Sequence, residues 1–463
     1  MLGRVARNHR DPRFMTTFSA IDHAHMAHAL QLAERGLFTT QPNPRVGCVI
    51  AHGDEIVGTG FHQRAGEPHA EVFALREAGE RARGATVYVT LEPCAHYGRT
   101  PPCAAALVKA GVARVVVAAQ DPNPHVAGRG LELLRAAGIA VDMDLLHGVA
   151  RELNPGFFSR FERARPWLRV KLAMSLDGRT ALANGESKWI TGAAARADVQ
   201  RWRARSSAIL TGSGTVLADN PRLTVRLPLN TLAPGTTGQA DRHVSSDSLS
   251  PGATGDAGRH TPRDSLAPGA TGETDRRVFR DSLSPGATGG EGWGEGAALA
   301  ADPTSQAGAP TCPPDETCMP PLRVVLDRCL RTPAGSHVLD GATPTLLLHA
   351  PGATPADNRF AHVELATIAE HDGALDLSAV LALLATRGCN EVQVEAGPTL
   401  CGALFATGLV DELLLYIAPL LLGDRAQPLL HLPALADMAQ RWRLQVFDQR
   451  QVGVDWRLRL RSA

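Results

Sequence analysis

The sequence predicts a layered α/β chain of at least two domains. Three observations carry that prediction. Strand-like apolar runs alternate with runs of helical period from residue 20 to residue 150. The alternation starts again at Trp167, after a segment holding Asn154-Pro155-Gly156 and then Arg160, Glu162, Arg163 and Arg165. A length of 463 residues also exceeds what one hydrophobic core of ordinary size organises.

Each element of the first half has its own signal. Residues 23–36 place Met26, Leu30 and Ala33 at helical spacing and end at Gly36. Pro42-Asn43-Pro44 is a proline-bounded turn running into a strand at 46–50. Gly53-Asp54 signals a hairpin, with 55–60 as the return strand. Residues 71–81 read as a helix with Val72, Leu75 and Ala78 inward. Strands are expected at 86–91 and 112–118, and helices at 104–110, closed by Gly111, and 130–137.

Three motifs in this half bear chemistry: His69-Ala70-Glu71, Glu92-Pro93-Cys94 and Pro102-Cys103. They supply one imidazole, two thiols and a spare carboxylate. Three such ligands leave a tetrahedral zinc ion one open position, which water fills. Zinc lowers the pKa of that water towards neutrality. Glu71 stands two residues from His69, near enough to move protons without ligating. His-x-Glu, then Pro-Cys, then Cys is the layout of zinc nucleobase deaminases. Each part alone is bland, because isolated cysteines are commonly small buried apolar side chains. A purely structural zinc site would want a fourth Cys or His nearby. His69 and Glu71 do not share a helix face, so both reach one metal only at a loop-to-helix corner, where Pro68 sets them. Cys103 opens a helix, whose dipole eases thiolate formation.

Eight residues, 95–102, separate the two cysteines, where most such sites have two. They predict a loop bulging beside the metal. Its His96, Arg99 and Thr100 either hold an anionic part of a substrate or form a solvated loop. Asn43, between two prolines at a strand mouth, is either a turn former or a substrate contact; the zinc motif downstream favours contact. Cys48 reads as core.

Composition narrows the partners. The 47 basic and 47 acidic residues cancel to a net charge of +0, and 5% of residues are aromatic. Both argue against a nucleic acid held through its phosphates. No run is long and apolar enough for a membrane span. The stretch from Met1 to Met15 lacks the apolar core of a secretory signal, and Met15 or Met26 would serve as a start. Eight cysteines without disulfide-like clustering fit a reducing cytoplasm.

The expected division is a first domain at 20–150, a linker at 151–166 and a second domain at 167–463. In the second, 167–174 reads as a strand, 175–179 as a turn and 193–205 as a helix. The buried strand 208–210 runs into Thr211-Gly212-Ser213-Gly214-Thr215. A second apolar strand, 392–395, reaches Gly397 before a helix at 400–407. Glycines after a strand let backbone N–H groups approach phosphate, so the two corners would bracket a dinucleotide. Neither is GxGxxG, which argues against a Rossmann domain.

Several of these stretches occur together in one family. They are Pro42-Asn43-Pro44, Val46-Gly47-Cys48, His69-Ala70-Glu71, Glu92-Pro93-Cys94, the eight-residue gap, Asp121-Pro122-Asn123-Pro124, residues 171–178 and residues 211–219. The chain thereby resembles the bifunctional riboflavin-biosynthesis deaminase/reductase over about 20–227 and 321–463. The resemblance implies a cytidine-deaminase-like three-layer domain followed by a dihydrofolate-reductase-like domain, with Zn2+ and NADPH as cofactors. It implies a pyrimidine ribotide substrate, 2,5-diamino-6-(5-phosphoribosylamino)pyrimidin-4-one. Hydrolytic deamination and then reduction of the ribosyl group would give 5-amino-6-(5-phosphoribitylamino)uracil. Carried over position by position, it sets NADPH against Ala173, Trp189, Thr215, Asp219 and the turn Gly397, Pro398, Thr399, Leu400, Cys401, Gly402, Ala403. It sets the ribosyl phosphate against Ser187, Arg203, Leu223, Arg226 and Glu395. Arg203 and Arg226 suit a phosphate, which a guanidinium grips bidentately. Where the family reads a small polar residue this chain has Arg328, and that contact is not carried over. A homo-oligomer is expected.

An insert at 228–320 interrupts the second domain. Leu-(Ala/Ser)-Pro-Gly recurs at 232, 249, 266 and 283, a period of 17 residues. A Gly/Pro/Ser/Thr-rich unit with about one large apolar residue cannot bury a core and reads as disordered. A solenoid is the alternative, but the repeat is short and its apolar content low. Two other functions compete with the two-site enzyme. A nucleic-acid-editing deaminase would need basic and aromatic surface. A scaffold would hold zinc only structurally and bind partners through the repeat.

Overall fold

The computed structural model describes residues 17–95, 102–226 and 318–462. The loop residues His96, Arg99 and Thr100, the repeats at 232–286, Cys312 and the stretch from Met1 to Met15 lie outside them.

The first half opens with α1 (Ala20–Glu34), started by a Ser19/Asp22 capping box. β1 (Gly47–His52) and β2 (Glu55–Phe61) form the hairpin expected at Gly53-Asp54. Then follow α2 (Ala70–Ala78), β3 (Thr86–Val89), α3 (Cys103–Ala110), β4 (Arg114–Val117), α4 (Arg129–Ala136) and β5 (Ala140–Met143). The five strands lie in the order β2-β1-β3-β4-β5. Pairing is antiparallel around β1 and parallel from β3 to β5. Side chains alternate across the sheet. Cys48, Ile50, Val87, Val89, Val115 and Val117 pack beneath α2, α3 and α4. Val49, Ala51, Tyr88 and Val116 pack on the other face against Met26, Ala29, Leu30 and Ala33 of α1. The sheet is covered on both sides, in three layers.

Residues 151–166, expected as a linker, are largely helical. They fall in α5 (His147–Leu153) and α6 (Pro155–Arg163), with Pro155 at the first helical turn. Phe157 and Phe158 of α6 are buried in the core of the first half. The apolar Phe-Phe pair outweighs the Asn-Pro-Gly turn signal, so the joint is packed.

The second half contains β6 (Trp167–Ser175), β7 (Arg179–Ala181), α7 (Ala193–Ala204), β8 (Ala208–Gly212), α8 (Ser213–Asp219), β9 (Leu322–Leu326), β10 (Thr345–His349) and β11 (Glu364–Thr367). After the short ribbon β12 (Glu370–His371) and β13 (Ala374–Leu375) come α9 (Leu377–Thr386), β14 (Glu391–Val394), α10 (Pro398–Ala406), β15 (Glu412–Ala418), β16 (Gln427–Pro428), β17 (Leu444–Val452) and β18 (Asp455–Ser462). Nine strands run in the order β11-β10-β9-β8-β14-β6-β15-β18-β17. They are parallel from β11 to β15 and antiparallel at β18 and β17.

The two faces of this sheet differ in chemistry. One is apolar: Leu168, Val170, Val392, Val394, Leu413 and Leu415 pack against α9 and α10. The other carries a buried charged ladder, because Glu391 and Gln393 alternate with the valines of β14. Arg169 on β6 is 0% exposed; it donates to Glu412 at 2.8 Å and to Glu391 at 3.1 Å. Trp202 of α7 covers the Arg169 guanidinium at 4.5 Å. Buried charges of this kind persist only when paired. At the insert, the Arg226 N–H donates to Gln200 and the Cys318 thiol to the Ala204 carbonyl. The described chain therefore stops and resumes within about one turn of α7.

Candidate active sites

The first site forms where β3, α2 and α3 meet. His69 is the residue just before α2, with extended backbone at φ −77° and ψ 168°, and Glu71 lies in its first turn. Gly60 of β2 lets this corner approach the sheet: a Cβ there would lie 2.2 Å from the Ala70 carbonyl oxygen. Cys103 is the first residue of α3, and its N–H donates to Cys94 Sγ at 3.3 Å. His69 Nδ1 lies 3.6 Å from Cys94 Sγ and 3.3 Å from Cys103 Sγ. The three donor atoms all fall within 4.8 Å of one another. A tetrahedral zinc with ordinary bond lengths has N–S edges of about 3.6 Å, so the donor set fits the ion.

Glu71 is 2% exposed, and its Oε2 has no hydrogen-bond partner among the described residues. A water on an ion's fourth position would satisfy such an orphaned oxygen. Burial pushes the Glu71 carboxyl up to about 7. The Cys103 thiol beside Cys94 draws Cys94 down to about 4, helped by His69 and the Cys103 N–H against the effect of burial.

Two further buried side chains flank this site, His62, which stands in no motif, and Glu92. His62 accepts or donates at both ring nitrogens, 3.1 Å from Asn43 Nδ2 and 3.1 Å from the Pro68 carbonyl. Its ring meets that of His69 edge-on, centroids 5.4 Å apart. Asn43 thus sits one side chain from His69. Glu92 accepts from the N–H groups of Asp121, Gly128 and Gly130 at 3.0–3.3 Å, holding the Asp121-Pro122-Asn123-Pro124 loop beside Cys94. Gly130 is needed there, since a Cβ would lie 1.9 Å from the Pro93 carbonyl oxygen.

The second site lies at the C-terminal ends of β8 and β14, which are adjacent parallel strands. Residues 213–215, expected in a glycine turn, are the first turn of α8, and Gly397 immediately precedes α10. The Gly397 N–H donates to Thr215 Oγ1 at 3.2 Å, which ties the two corners together. Helix N-termini with free N–H groups suit a phosphate. Ser187 and Trp189 line a small cavity with Leu182, Ile190, Leu420 and Leu422. Trp189 is 69% exposed and stacks under Arg196. Ala173 is half-buried mid-sheet on β6, and Asp219 is exposed at the end of α8.

Several expected contacts take a different form. Arg203 is committed to Glu395 through two hydrogen bonds of 2.6 and 2.7 Å, with a third to the Thr224 carbonyl. Burial would raise Glu395, but Arg203 and Lys171 outweigh it and hold the carboxyl at about 2. Arg203 therefore arrives at any phosphate already neutralised, whereas Arg226 is an exposed neighbour of Arg203 and Glu395. The Leu223 side chain is 1% exposed within an apolar cluster, and its φ is +50°. Only its turned backbone can meet a ligand. Cys401 and Gly402 likewise face inward: Cys401 is 0% exposed, and Gly402 presses on the His431 carbonyl. This leaves Gly397, Pro398, Thr399, Leu400 and Ala403 toward the corner. Arg328 pairs with Glu370 at the surface. Lys171 is a residue the sequence reading missed. It lies on β6 near Glu395 and Arg203, 5.9 Å from the Tyr416 ring, and burial lowers its pKa.

Together these features define a class: a zinc-type deaminase domain joined to a nucleotide-dependent reductase domain. Comparison with known proteins agrees. Residues 19–119 match the cytidine and deoxycytidylate deaminase zinc-binding region, and residues 166–256 and 290–456 match the RibD C-terminal domain. The chain is 44% identical over 444 residues to riboflavin biosynthesis protein RibD of Escherichia coli, covering 96% of this chain and 100% of that one. It is 40% identical to RibD of Haemophilus influenzae, over 96% and 98% of the two chains. The crystallised Acinetobacter baumannii RibD superposes with a TM-score of 0.72 at 38% identity, covering 96% of this chain and 99% of that one. The chain belongs to the RibD family of bifunctional riboflavin-biosynthesis enzymes. It carries out a deamination and a reduction, using zinc in the first half and NADPH in the second.

Proposed function

We propose that His69, Cys94 and Cys103 hold the zinc ion and that Glu71 is the proton carrier of the deamination. The observation that carries this reading is the meeting of three donor atoms within 4.8 Å beside a buried carboxylate oxygen with no partner. The substrate is 2,5-diamino-6-(5-phosphoribosylamino)pyrimidin-4-one, in keeping with the deaminase and reductase activities named for a Thermotoga maritima structure that is 25% identical. Zinc held by His69, Cys94 and Cys103 would supply an activated water for attack on the ring carbon that bears the amino group. Glu71 would take a proton from that water and pass it to the ring nitrogen, then take the proton of the newly formed hydroxyl and deliver it to the departing ammonia. Its carboxyl, raised by burial, is suited to work in both directions near neutral pH. Asn43 and His62 orient the pyrimidine.

At the second site NADPH, when bound, would supply the hydride for reduction at C1 of the ribose, which opens to a ribityl chain. Thr215, Asp219, Trp189, Ala173 and the open part of the 397–403 turn hold the cofactor. Ser187, Arg226, the Arg203–Glu395 pair and the Leu223 backbone hold the ribosyl phosphate. Lys171 adds a positive charge beside them. We place the domain division at 20–150 and 167–463, with 151–166 as a packed joint and 228–320 as an insert.

The chain works as a homo-oligomer in the cytoplasm. Among the described residues no helix is long and apolar enough to cross a membrane. β17 is the last strand of its sheet and exposes Val446 (54%) and Phe447 (48%), with Trp456 (50%) on β18. An apolar edge strand is a template for its own two-fold copy. Incubation with the diaminopyrimidine ribotide and NADPH, following ammonia and nicotinamide absorbance together, tests the enzymatic reading. Ammonia release must precede NADPH oxidation. Oxidation without prior ammonia release would overturn the assigned order, and neither product would overturn the substrate.

A further inference from the structure

The loop 41–45 belongs by sequence to the deaminase half, yet the reductase half holds it. The Gln41 side chain accepts from Ser207 Oγ at 2.7 Å and donates to the Arg205 carbonyl at 3.0 Å. The Pro42 carbonyl accepts from Asn390 Nδ2 at 2.8 Å. Arg45 donates to Glu391 Oε1 at 2.8 Å, with both residues buried. These partners sit where β8 and β14 begin. Ser207 Oγ also accepts from the N–H groups of Asn390 and Glu391, so the clasp is one connected network. In the middle of the loop is Asn43, which faces His62 and, through it, His69.

Asn390 is the informative member. It is 4% exposed, and its Oδ1 has no partner among the described residues. Among the described residues its side chain bonds only across to the Pro42 carbonyl in the other half. A buried amide that leaves its own oxygen unsatisfied costs stability. The reductase half gains no described side-chain bond from it. What the amide fixes is the backbone next to Asn43.

We propose that Asn390 is a positioning residue for the deamination: the reductase half sets the loop that presents Asn43 to the pyrimidine. The proposal rests on the reading of the first site as the deaminase. It deepens that reading by making the deaminase site incomplete without the start of β14. The nicotinamide corners lie at the opposite, C-terminal ends of β8 and β14, so the reductase reaction is not touched by the same contact. One hydrogen bond's worth of loop placement corresponds to a change of up to about tenfold in substrate binding.

The test is a set of full-length variants assayed for both activities. In Asn390→Ala the deaminase KM rises about tenfold with kcat nearly unchanged, while reductase kcat and KM stay within about twofold of wild type. Gln41→Ala, on the other side of the clasp, gives the same split. In an Asn43→Ala background, Asn390→Ala adds nothing further to the deaminase KM, because it acts through Asn43. Three results would overturn the proposal. One is an unchanged deaminase KM in folded Asn390→Ala; another is an equal loss of both activities. The third is the full effect persisting in the Asn43→Ala background. Failure of the underlying deaminase reading shows separately, as ammonia release that survives Glu71→Gln.

Discussion

In the first half, three metal-ligand candidates and a carboxylate come from motifs whose spacing is visible along the chain. In the second, the reactive surface is assembled from strand ends far apart; Arg203 and Glu395, its firmest pair, are 192 positions apart. The difference follows from what each site asks of the chain. A zinc ion demands particular donor atoms at fixed distances, so residue type betrays it. A dinucleotide is held largely by backbone N–H groups and shape, which many sequences supply. The two halves also pair charges differently. The first centres on one buried carboxylate with a free oxygen, Glu71. The second buries carboxylates that are saturated by arginine, Glu391, Glu395 and Glu412.

The sharpest way to break this contrast is Glu71→Gln. Removing the proton carrier should lower deaminase kcat about 10²–10⁴-fold and leave NADPH oxidation on the deaminated substrate intact. Loss of both activities in a folded variant would show that the halves do not act as separate sites. Arg169→Ala probes the saturated charges of the second half. It removes the arginine shared by Glu391 and Glu412, which keep Arg45 and Arg205, and Arg459 and Arg461, respectively, and should cost about 1.5–3 kcal/mol, read as a shift in the urea midpoint; no shift would mean the ladder is solvated.

Acid should act on the same groups. Burial tends to raise Glu391, Glu395 and Glu412, but neighbouring arginines hold all three below the usual carboxylate range, Glu395 at about 2. A carboxylate depressed on folding contributes stability that is complete above its unfolded pKa of about 4.3 and is lost as pH falls through the folded value. Glu71, raised by burial to about 7, acts the other way between pH 7 and about 4.5, so the arginine-paired carboxylates show below about pH 4, where the urea midpoint should drop steadily towards pH 2. A rise from about pH 4 to pH 2 would contradict the pairing. The smallest effect is expected from the insert. Its two ends meet on one turn of α7, and loop closure costs only about 0.6 kcal/mol per doubling of length. Replacing 228–317 with a short Gly/Ser linker should leave reductase kcat within about twofold, measured by NADPH oxidation.

Much of the fold was legible because alternation and helical period are local. The β1–β2 hairpin, α1, α3 closed at Gly111, and β6 all fall within a few residues of their sequence signals. Other features depend on what a side chain meets after folding. Phe157 and Phe158 turned a Pro-Gly joint into a packed helix because a core was there to receive them. Leu223 and Cys401 point inward because the neighbouring apolar clusters are closer than the ligand site. His62 stands in no motif, and Lys171, though it opens the 171–178 stretch, was given no role there; each became visible as a site residue only when the fold brought it beside His69 or Glu395. Two charged residues within one largely apolar strand, Arg169 and Lys171 on β6, were the signal available for the second.

The most direct measurement is zinc K-edge X-ray absorption on the purified full-length protein. The account predicts one zinc per chain with two sulfur ligands near 2.3 Å, one imidazole nitrogen and one further light-atom ligand, roughly 2.0 Å away, from solvent. That light atom should be exchangeable with a competing anion. A shell of three or four sulfurs, or a closed set of four protein ligands that no anion perturbs, would contradict it.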